Sequence, residues 1–472
     1  MSMIRHTCQR GWYVAVMAVF MSAASHAGQP LEETLRFGPF GDVHIYRSAA
    51  QPKHVVLFVS GDGGWNLGVI GMARALADLG ALVAGIDITG YLKRLKSGKE
   101  NCSYPAADFE GLSQYLQKHY GLSDYTAPVL VGYSSGATLV YATLAQAPPN
   151  TFRGAISMGF CPDLPLTKPL CRGNGLQSSP GPRGKGYSFL PAQSLSTPWI
   201  AFQGDIDQVC AAEAVASFVA QTGHAQVVKL PKVGHGFSVQ SNWLPQFKAS
   251  FNKLVVGASG ASTPRPAELK DLPLVEVRVE ALGKTFAVII SGDGGWASID
   301  KSLADALAAD GIPTVGLDAL HYFWTKRAPD EAGRDLQRIL DHYLAAWHMD
   351  SVVLIGYSLG ADVLPFMVSR LPPELTARTS LIALLGAEHT VDFEFRVSDW
   401  LPGSGKDAAY KVKPEVEKLV GKNLLCIYGE DETASLCPDL DRNRFKVVKM
   451  TGGHHFGGDY KALAELILRD AH

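Results

Sequence analysis

Two serines lie in the pattern G-x-S-x-G, Gly132-Tyr-Ser134-Ser-Gly136 and Gly356-Tyr-Ser358-Leu-Gly360. Each follows an apolar run, Val129–Val131 or Val352–Ile355, and precedes a helical pattern. A tight turn at that junction needs neighbours without bulk and thrusts the serine Oγ out at the end of the strand. A hydroxyl is a weak nucleophile until a base takes its proton, and the base needs an acid to orient it. On such turns the acid and then the histidine follow the serine in chain order. The first half supplies Ser134, Asp207 after the Trp199–Phe202 run, and His235 in Val-Gly-His-Gly-Phe. The second supplies Ser358, Asp431 or Glu432 after Leu424–Tyr428, and His454 after Thr-Gly-Gly. Distance from the preceding glycine favours Glu432 and residue type favours Asp431, so both stand as candidates. His455 adjoins His454, and the match to His235 selects His454. The implied chemistry is acyl transfer through a serine ester, whose oxyanion needs two backbone N–H donors. The glycine-rich SGDGGW, at Ser60–Trp65 and again at Ser291–Trp296, ends a strong strand in each half. It offers Asp62 or Gly63 with Ser135, and Asp293 or Gly294 with Leu359. G-x-x-x-x-G-K-[ST], H-E-x-x-H and EF-hand patterns do not occur, so no metal or cofactor is expected.

These residues are positioned by a duplicated framework. SGDGGW, G-Y-S-x-G, the pair QGDID (Gln203–Asp207) and YGEDE (Tyr428–Glu432), and the pair GHGF (Gly234–Phe237) and GHHF (Gly453–Phe456) recur in one order at nearly equal offsets. The period far exceeds that of a solenoid repeat, so a whole domain is duplicated. Within each half, short β-branched runs alternate with helical patterns. In the first these are Val55–Val59, Leu82–Ile86, Val129–Val131, Phe152–Phe160, Trp199–Phe202 and Val227–Leu230. In the second they are Phe286–Ile290, Thr314–Leu317, Val352–Ile355, Leu381–Leu385, Leu424–Tyr428 and Phe445–Lys449. Apolar strands separated by helices predict an α/β fold, a mostly parallel sheet with helices on both faces. Asn174–Gly186, rich in Gly, Pro and Ser, is expected to be a mobile loop of the first half alone.

The 472 residues are 47% apolar and 19% charged, which is globular composition. With 43 Lys+Arg against 45 Asp+Glu, nothing points to nucleic acid. Arg5 and Arg10, the apolar Trp12–Ala24 and Ser25-His26-Ala27 predict a signal peptide over 1–27, cleaved after Ala27, and a periplasmic mature protein. Gly257–Pro266 reads as a linker, giving domains at 28–256 and 269–472 around 257–268. Residues 28–267 carry 19 basic and 14 acidic side chains, and 268–472 carry 22 and 31. Six of the seven cysteines follow the leader. Cys426 and Cys437, the only two in the second half, are the expected disulfide, and Cys102, Cys161, Cys171 and Cys210 allow three pairings.

Through SGDGGW, GYSLGADVLPF (Gly356–Phe366), HYFWTKR (His321–Arg327) and GGHHF (Gly452–Phe456), the second half resembles the VirJ/AcvB-type bacterial virulence proteins, a branch of the α/β-hydrolases. The resemblance implies two tandem α/β-hydrolase-like domains. It implies periplasmic hydrolysis of the aminoacyl ester of aminoacyl-phosphatidylglycerol, lysyl or alanyl, at the membrane surface. It also implies an association with secretion, and it assigns Ser358 as nucleophile, His454 as base and Asp431 or Glu432 as acid. A generic periplasmic esterase or lipase, or a non-catalytic secretion-associated binding factor, would carry the same motifs. For that headgroup, Asp362 is the expected partner of the amine and Lys326 or Arg327 of the phosphate. Trp296, with Tyr322, Phe323 and Trp324, is the expected lipid contact. The first half has Thr138 where the second has Asp362 and lacks the Tyr-Phe-Trp-x-Lys-Arg run, so the resemblance places the activity in the second half.

Overall fold

The computed structural model describes residues 31–48, 51–98, 100–257, 267–396 and 409–471. The expected leader and its cleavage site after Ala27 lie outside the described residues, as do residues 258–266 of the expected linker.

The first half folds into strands β1 (Leu31–Phe37), β2 (Gly41–Arg47), β3 (His54–Val59), β4 (Ala81–Ile86), β5 (Val129–Tyr133), β6 (Gly154–Met158), β7 (Asp163–Leu164), β8 (Ser178–Pro180), β9 (Tyr187–Phe189), β10 (Trp199–Gly204) and β11 (Ala225–Leu230). Its helices are α1 (Leu67–Ala77), α2 (Ile88–Ser97), α3 (Pro105–His119), α4 (Ser135–Gln146), α5 (Ala212–Ala220) and α6 (Leu244–Gly257). The second half gives β12 (Leu274–Val277), β13 (Thr285–Ile290), β14 (Thr314–Leu317), β15 (Ser351–Tyr357), β16 (Thr379–Leu385), β17 (Thr390–Val391), β18 (Tyr410–Lys411), β19 (Leu424–Gly429) and β20 (Lys446–Met450). With them come α7 (Ser298–Ala309), α8 (Ala319–Tyr322), α9 (Pro329–Ala346), α10 (Leu359–Val368), α11 (Pro373–Ala377), α12 (Val412–Glu417) and α13 (Tyr460–Ala471).

The two main sheets run β1-β2-β4-β3-β5-β6-β10-β11 and β12-β14-β13-β15-β16-β19-β20. From β4 or β14 onward every neighbour is parallel, and β2 and β12 join antiparallel at the matching edge. The duplication read in the sequence is therefore a duplication of topology, with β1 as an extra edge strand. The continuous apolar runs follow from burial on both faces. Val55, Leu57 and Val59 enter one core while Val56 and Phe58 enter the other. Phe286, Val288 and Ile290 alternate with Ala287 and Ile289 in the same way.

Asn174–Gly186 is not a bare loop. It carries β8, which pairs with β9 in a small antiparallel sheet with β7. The disulfides are Cys102–Cys171, Cys161–Cys210 and the expected Cys426–Cys437. Three bridges fit an oxidising compartment. No helix among the described residues is long and apolar enough to cross a membrane.

The halves meet through α3 and the loop after it. Lys118 Nζ donates to the Trp324 carbonyl, lies 4.7 Å over the Trp324 ring and pairs with Glu394 at 3.7 Å. Trp324 Nε1 donates to Leu122 O at 2.8 Å. Tyr125, Leu320, Trp324 and Phe395 form a buried cluster across the seam. Removing this ring takes away about 3 kcal/mol of buried contact. Trp324→Ala is expected to raise the radius of gyration in small-angle scattering while leaving the far-ultraviolet circular dichroism unchanged; an unchanged radius would show that the ring does not hold the halves together.

Candidate active site

Both serines leave their strands in a conformation that L-residues rarely adopt, φ 54° and ψ −124° at Ser134, φ 53° and ψ −119° at Ser358. The flanking glycines are forced by contact. A Cβ on Gly132 would lie 2.2 Å from Gly136 O, and one on Gly136 would lie 2.4 Å from Ser60 O. At Gly356 and Gly360 the corresponding approaches are 2.3 Å to Gly360 O and 2.1 Å to Ile290 O. The helix begins jammed against the end of the central strands, and the serine is the residue squeezed outward.

SGDGGW can be accounted for residue by residue. Ser60 Oγ donates to Gly61 O and accepts from Ile88 N–H at 3.1 Å, and Ser291 Oγ repeats this with Gly292 O and Ala319 N–H at 2.9 Å. A Cβ on Gly61 would meet Ser134 Cβ at 3.0 Å, and one on Gly292 would meet Ser358 Cβ at 3.4 Å. Gly64 and Gly295 have φ of +74° and +76° and abut the carboxylates of Asp87 and Asp318. The turn closes from Gly64 N–H to Gly61 O and from Gly295 N–H to Gly292 O, with no backbone acceptor for the residues between. Asp62–Gly63 and Asp293–Gly294 thus lie in the turns beside the serines, where an oxyanion site needs N–H donors, and the Asp293 carboxyl accepts from its own N–H and that of Gly294. Leu359 and Ser135 open α10 and α4, where N–H groups have no intrahelical partner.

In the first half the relay is closed. Ser134 Oγ and His235 Nε2 are 2.9 Å apart, and His235 Nδ1 and Asp207 Oδ2 are 2.9 Å apart. Burial opposes the charge on Asp207. The Cys210 N–H, the His235 ring and the Val209 N–H outweigh it and hold the carboxyl below its ordinary value. Asp207, Cys210 and His235 also lie within metal-ligand distance of one another, but the Cys210 sulfur is in a disulfide, so that donor set is spent.

In the second half His454 Nδ1 bonds Glu432 Oε1. Glu432 is thus the partner acid, while Asp431 is exposed with its N–H on Gly452 O. Glu432 follows Gly429 by the step that separates Asp207 from Gly204. Ser358 N–H donates to Leu385 O, and a Cβ on the next residue, Gly386, would lie 2.7 Å from His454 Cε1. Ser134 N–H on Met158 O, with Gly159 under His235, is the same constellation. Ser358 and His454 therefore converge on one strand end, yet no hydrogen bond joins them among the described residues. Such bonds commonly tighten only around substrate. The hydrogen bond from Glu432 raises the His454 pKa against the opposing effect of burial.

Several expected contacts lie elsewhere. Trp296 is buried with its ring over Gly316, where a Cβ would lie 2.1 Å away, so it fills the core rather than facing a ligand. Tyr322 and Phe323 are core residues, and Trp324 builds the seam between the halves instead of touching lipid. Asp362 is buried and its Oδ1 accepts Glu388 N–H at 2.6 Å, so it tethers the loop after β16. Thr138 makes the equivalent tie to Cys161 O at 2.5 Å, which makes the Thr/Asp difference a change of tether rather than a lost function. Arg327 is paired with Glu331 and stacked over Tyr322, while Lys326 is exposed.

Sequence reasoning missed two participants. Tyr133 OH donates to His235 O at 3.1 Å and Tyr357 OH to His454 O at 3.4 Å, pinning the histidine loops. The Tyr shared by both G-Y-S-x-G copies was the available signal. The other is Glu110 on α3 of the first half, which feels the charge of Asp293 of the second. Burial and then the Asp293 charge push its carboxyl up to about 8. Asp293 is exposed but surrounded by protein, and desolvation raises its carboxyl against the lowering effect of the nearby His454 charge. No local pattern could have joined residues from separate copies.

A family profile described as "Bacterial virulence protein (VirJ)" matches residues 53–159 and 284–472, one segment in each half. No curated protein matches the sequence. Among solved structures the chain is similar to the esterase domain from a Rhodothermus marinus protein, at 19% identity over 49% of this chain and 98% of that one, with a TM-score of 0.32. It is similar to Est1E from Butyrivibrio proteoclasticus at 12% identity, 48% and 99% coverage and a TM-score of 0.33. Carboxylesterase CesB from Bacillus subtilis gives 15%, 48% and 92%, and 0.34.

The raised His454 pKa keeps the base protonated to higher pH. In a Ser134→Ala background, ester hydrolysis by Ser358 is expected to rise with pH through an apparent pKa above the ordinary histidine value. Glu432→Gln should move that limb down and cut kcat by up to about 10⁴-fold; a limb that stays in place in kcat/KM profiles would detach Glu432 from His454. The Cys161–Cys210 bridge ties the Asp207 loop to the segment under His235. In a Ser358→Ala background, replacing both cysteines by alanine is expected to slow hydrolysis by Ser134 about tenfold, with circular dichroism unchanged.

Proposed function

The chain belongs to the VirJ family of bacterial virulence proteins, and from that premise we propose that it is a periplasmic serine hydrolase that cleaves the aminoacyl ester of aminoacyl-phosphatidylglycerol. The products are the free amino acid, lysine or alanine, and phosphatidylglycerol. The observation that carries the hydrolase reading is the pair of matched strand-end sites, one with an unbroken Ser134–His235–Asp207 relay and one with the His454–Glu432 pair beside Ser358. The choice of ester rests on the family.

Ser358 Oγ attacks the ester carbonyl as His454 Nε2 takes its proton, forming the Oγ–carbonyl bond. Two N–H groups, Leu359 with Asp293 or Gly294, hold the oxyanion. His454 returns the proton to the departing glycerol oxygen of the lipid. Water, deprotonated by His454, then attacks the acyl-serine; the Oγ–acyl bond breaks, His454 returns the proton to Ser358 Oγ, and the amino acid leaves. Glu432 holds the imidazolium in place throughout. The substrate's ammonium group meets the carboxylates of Asp293 and Glu110 rather than Asp362, whose oxygen is already engaged. Both carboxyls are held above their ordinary values, and an ammonium group beside the carbonyl would favour their charged forms.

The purified protein incubated with lysyl- and alanyl-phosphatidylglycerol is expected to release free amino acid. Ser358→Ala should lower the rate at least about a thousandfold, and Ser134→Ala should leave most of it. Release that persists in Ser358→Ala and vanishes in Ser134→Ala would move the activity to the first site. No release by any form, with intact hydrolysis of a simple soluble ester, would favour a generic esterase.

A further inference from the structure

The catalytic ends of the strands do not account for a groove of about 1070 Å³ at the opposite, starting ends of the first sheet's strands. Lys53 stands just before β3, Arg153 just before β6 and Lys253 on α6; all three line it, and Lys301 on α7 of the second half closes its far wall. Ser134 sits at the other end of β5, so the groove is separate from the first relay. None of its lining residues is Asp or Glu. None of the four cations has an ion-pair partner among the described residues, and only Lys253 has a side-chain hydrogen bond, to Gln226 at 3.4 Å. Like charges gathered in one concavity without a counter-charge repel one another, and an anion placed among them removes that repulsion. Burial depresses the pKa of Arg153, and burial with the charges of Arg153 and Lys53 depresses that of the neighbouring His54, as expected where positive charge is left unneutralised.

We propose that the groove lined by Lys53, Arg153, Lys253 and Lys301 is a binding site for a phosphate group, built from both halves of the chain. The chemistry fits a phosphate monoester or diester: a compact, multivalent acceptor for an arginine fork and flanking ammonium groups. A free phosphate compound and the phosphodiester of a lipid headgroup share that chemistry. The assignment does not depend on the hydrolytic reading, because the groove is remote from Ser134 and none of its four cations belongs to either serine site.

The full chain is titrated by calorimetry with inorganic phosphate and with the soluble headgroup glycerophosphoglycerol, and sedimented with phosphatidylglycerol vesicles against phosphatidylcholine vesicles. Binding of at least one phosphate probe is expected, weakened at least fivefold by Lys53→Gln and by Arg153→Gln and by raising the salt. Hydrolysis of p-nitrophenyl butyrate by these variants should stay at the wild-type rate and report an intact fold. Binding of the headgroup or of phosphatidylglycerol vesicles over inorganic phosphate assigns the lipid as source, and the reverse assigns a soluble phosphate. No binding of any probe, or binding unchanged in both variants, overturns the proposal.

Discussion

The structure depends on one steric constraint, the approach of a helix start to the ends of the central strands until backbone touches backbone. At Gly360 a single methyl group would overlap the carbonyl of Ile290. This contact forces Ser358 into its positive φ, sets Gly292 against the serine and brings the turn that carries Asp293 and Gly294 beside it. Nucleophile and oxyanion donors are thus fixed by one packing event, not by two independent loops. The strain at the serine is held because the surrounding sheet and helix leave the chain no other path. The same contact at Gly136 produces the same result in the first half.

The two copies show which parts of that arrangement tolerate change. The acid is Asp207 in one and Glu432 in the other, at the same step beyond the strand-end glycine. The tether to the loop over the site is a hydroxyl in one and a carboxylate in the other. Different disulfides brace the acid loops. Cys210 is bridged to the segment that carries Gly159, and Cys437 is bridged back to the acid's own strand at Cys426. What does not vary is the tyrosine before the serine and the glycine under the histidine. These set where the imidazole can lie, whereas the acid needs only to reach it.

Much of this was legible because it repeats and because it is local. The parallel core strands announced themselves as short apolar runs, since both of their faces are buried. The edge strands did not. β1 has Glu32, Glu33 and Arg36 on a mostly exposed ribbon, and its register comes from pairing with β2, which no single stretch reveals. The order of serine, acid and histidine was readable, but the choice between Asp431 and Glu432 needed the backbone path after Gly429. Trp296 misled because an aromatic at the end of a catalytic motif is equally suited to cover a glycine, and Gly316 lies beneath it. Trp324 misled for a related reason, since its partner surface belongs to the other copy.

The seam is where duplication yields more than two equal sites. Trp324 and Lys118 hold α3 against the second half, and Glu110 on the same helix feels the charge of Asp293. Burial and the neighbouring Asp293 charge both work against the charged form of Glu110. On the proposed reading, a substrate ammonium beside the pair would relieve that opposition. The first site has no such neighbour among the interactions seen, and it has the closed relay instead. Divergence after duplication has therefore acted on what surrounds the serines and left the elbow itself unchanged. The charge around the second site is then a property of the whole chain, since Glu110 of the first half acts on Asp293 of the second.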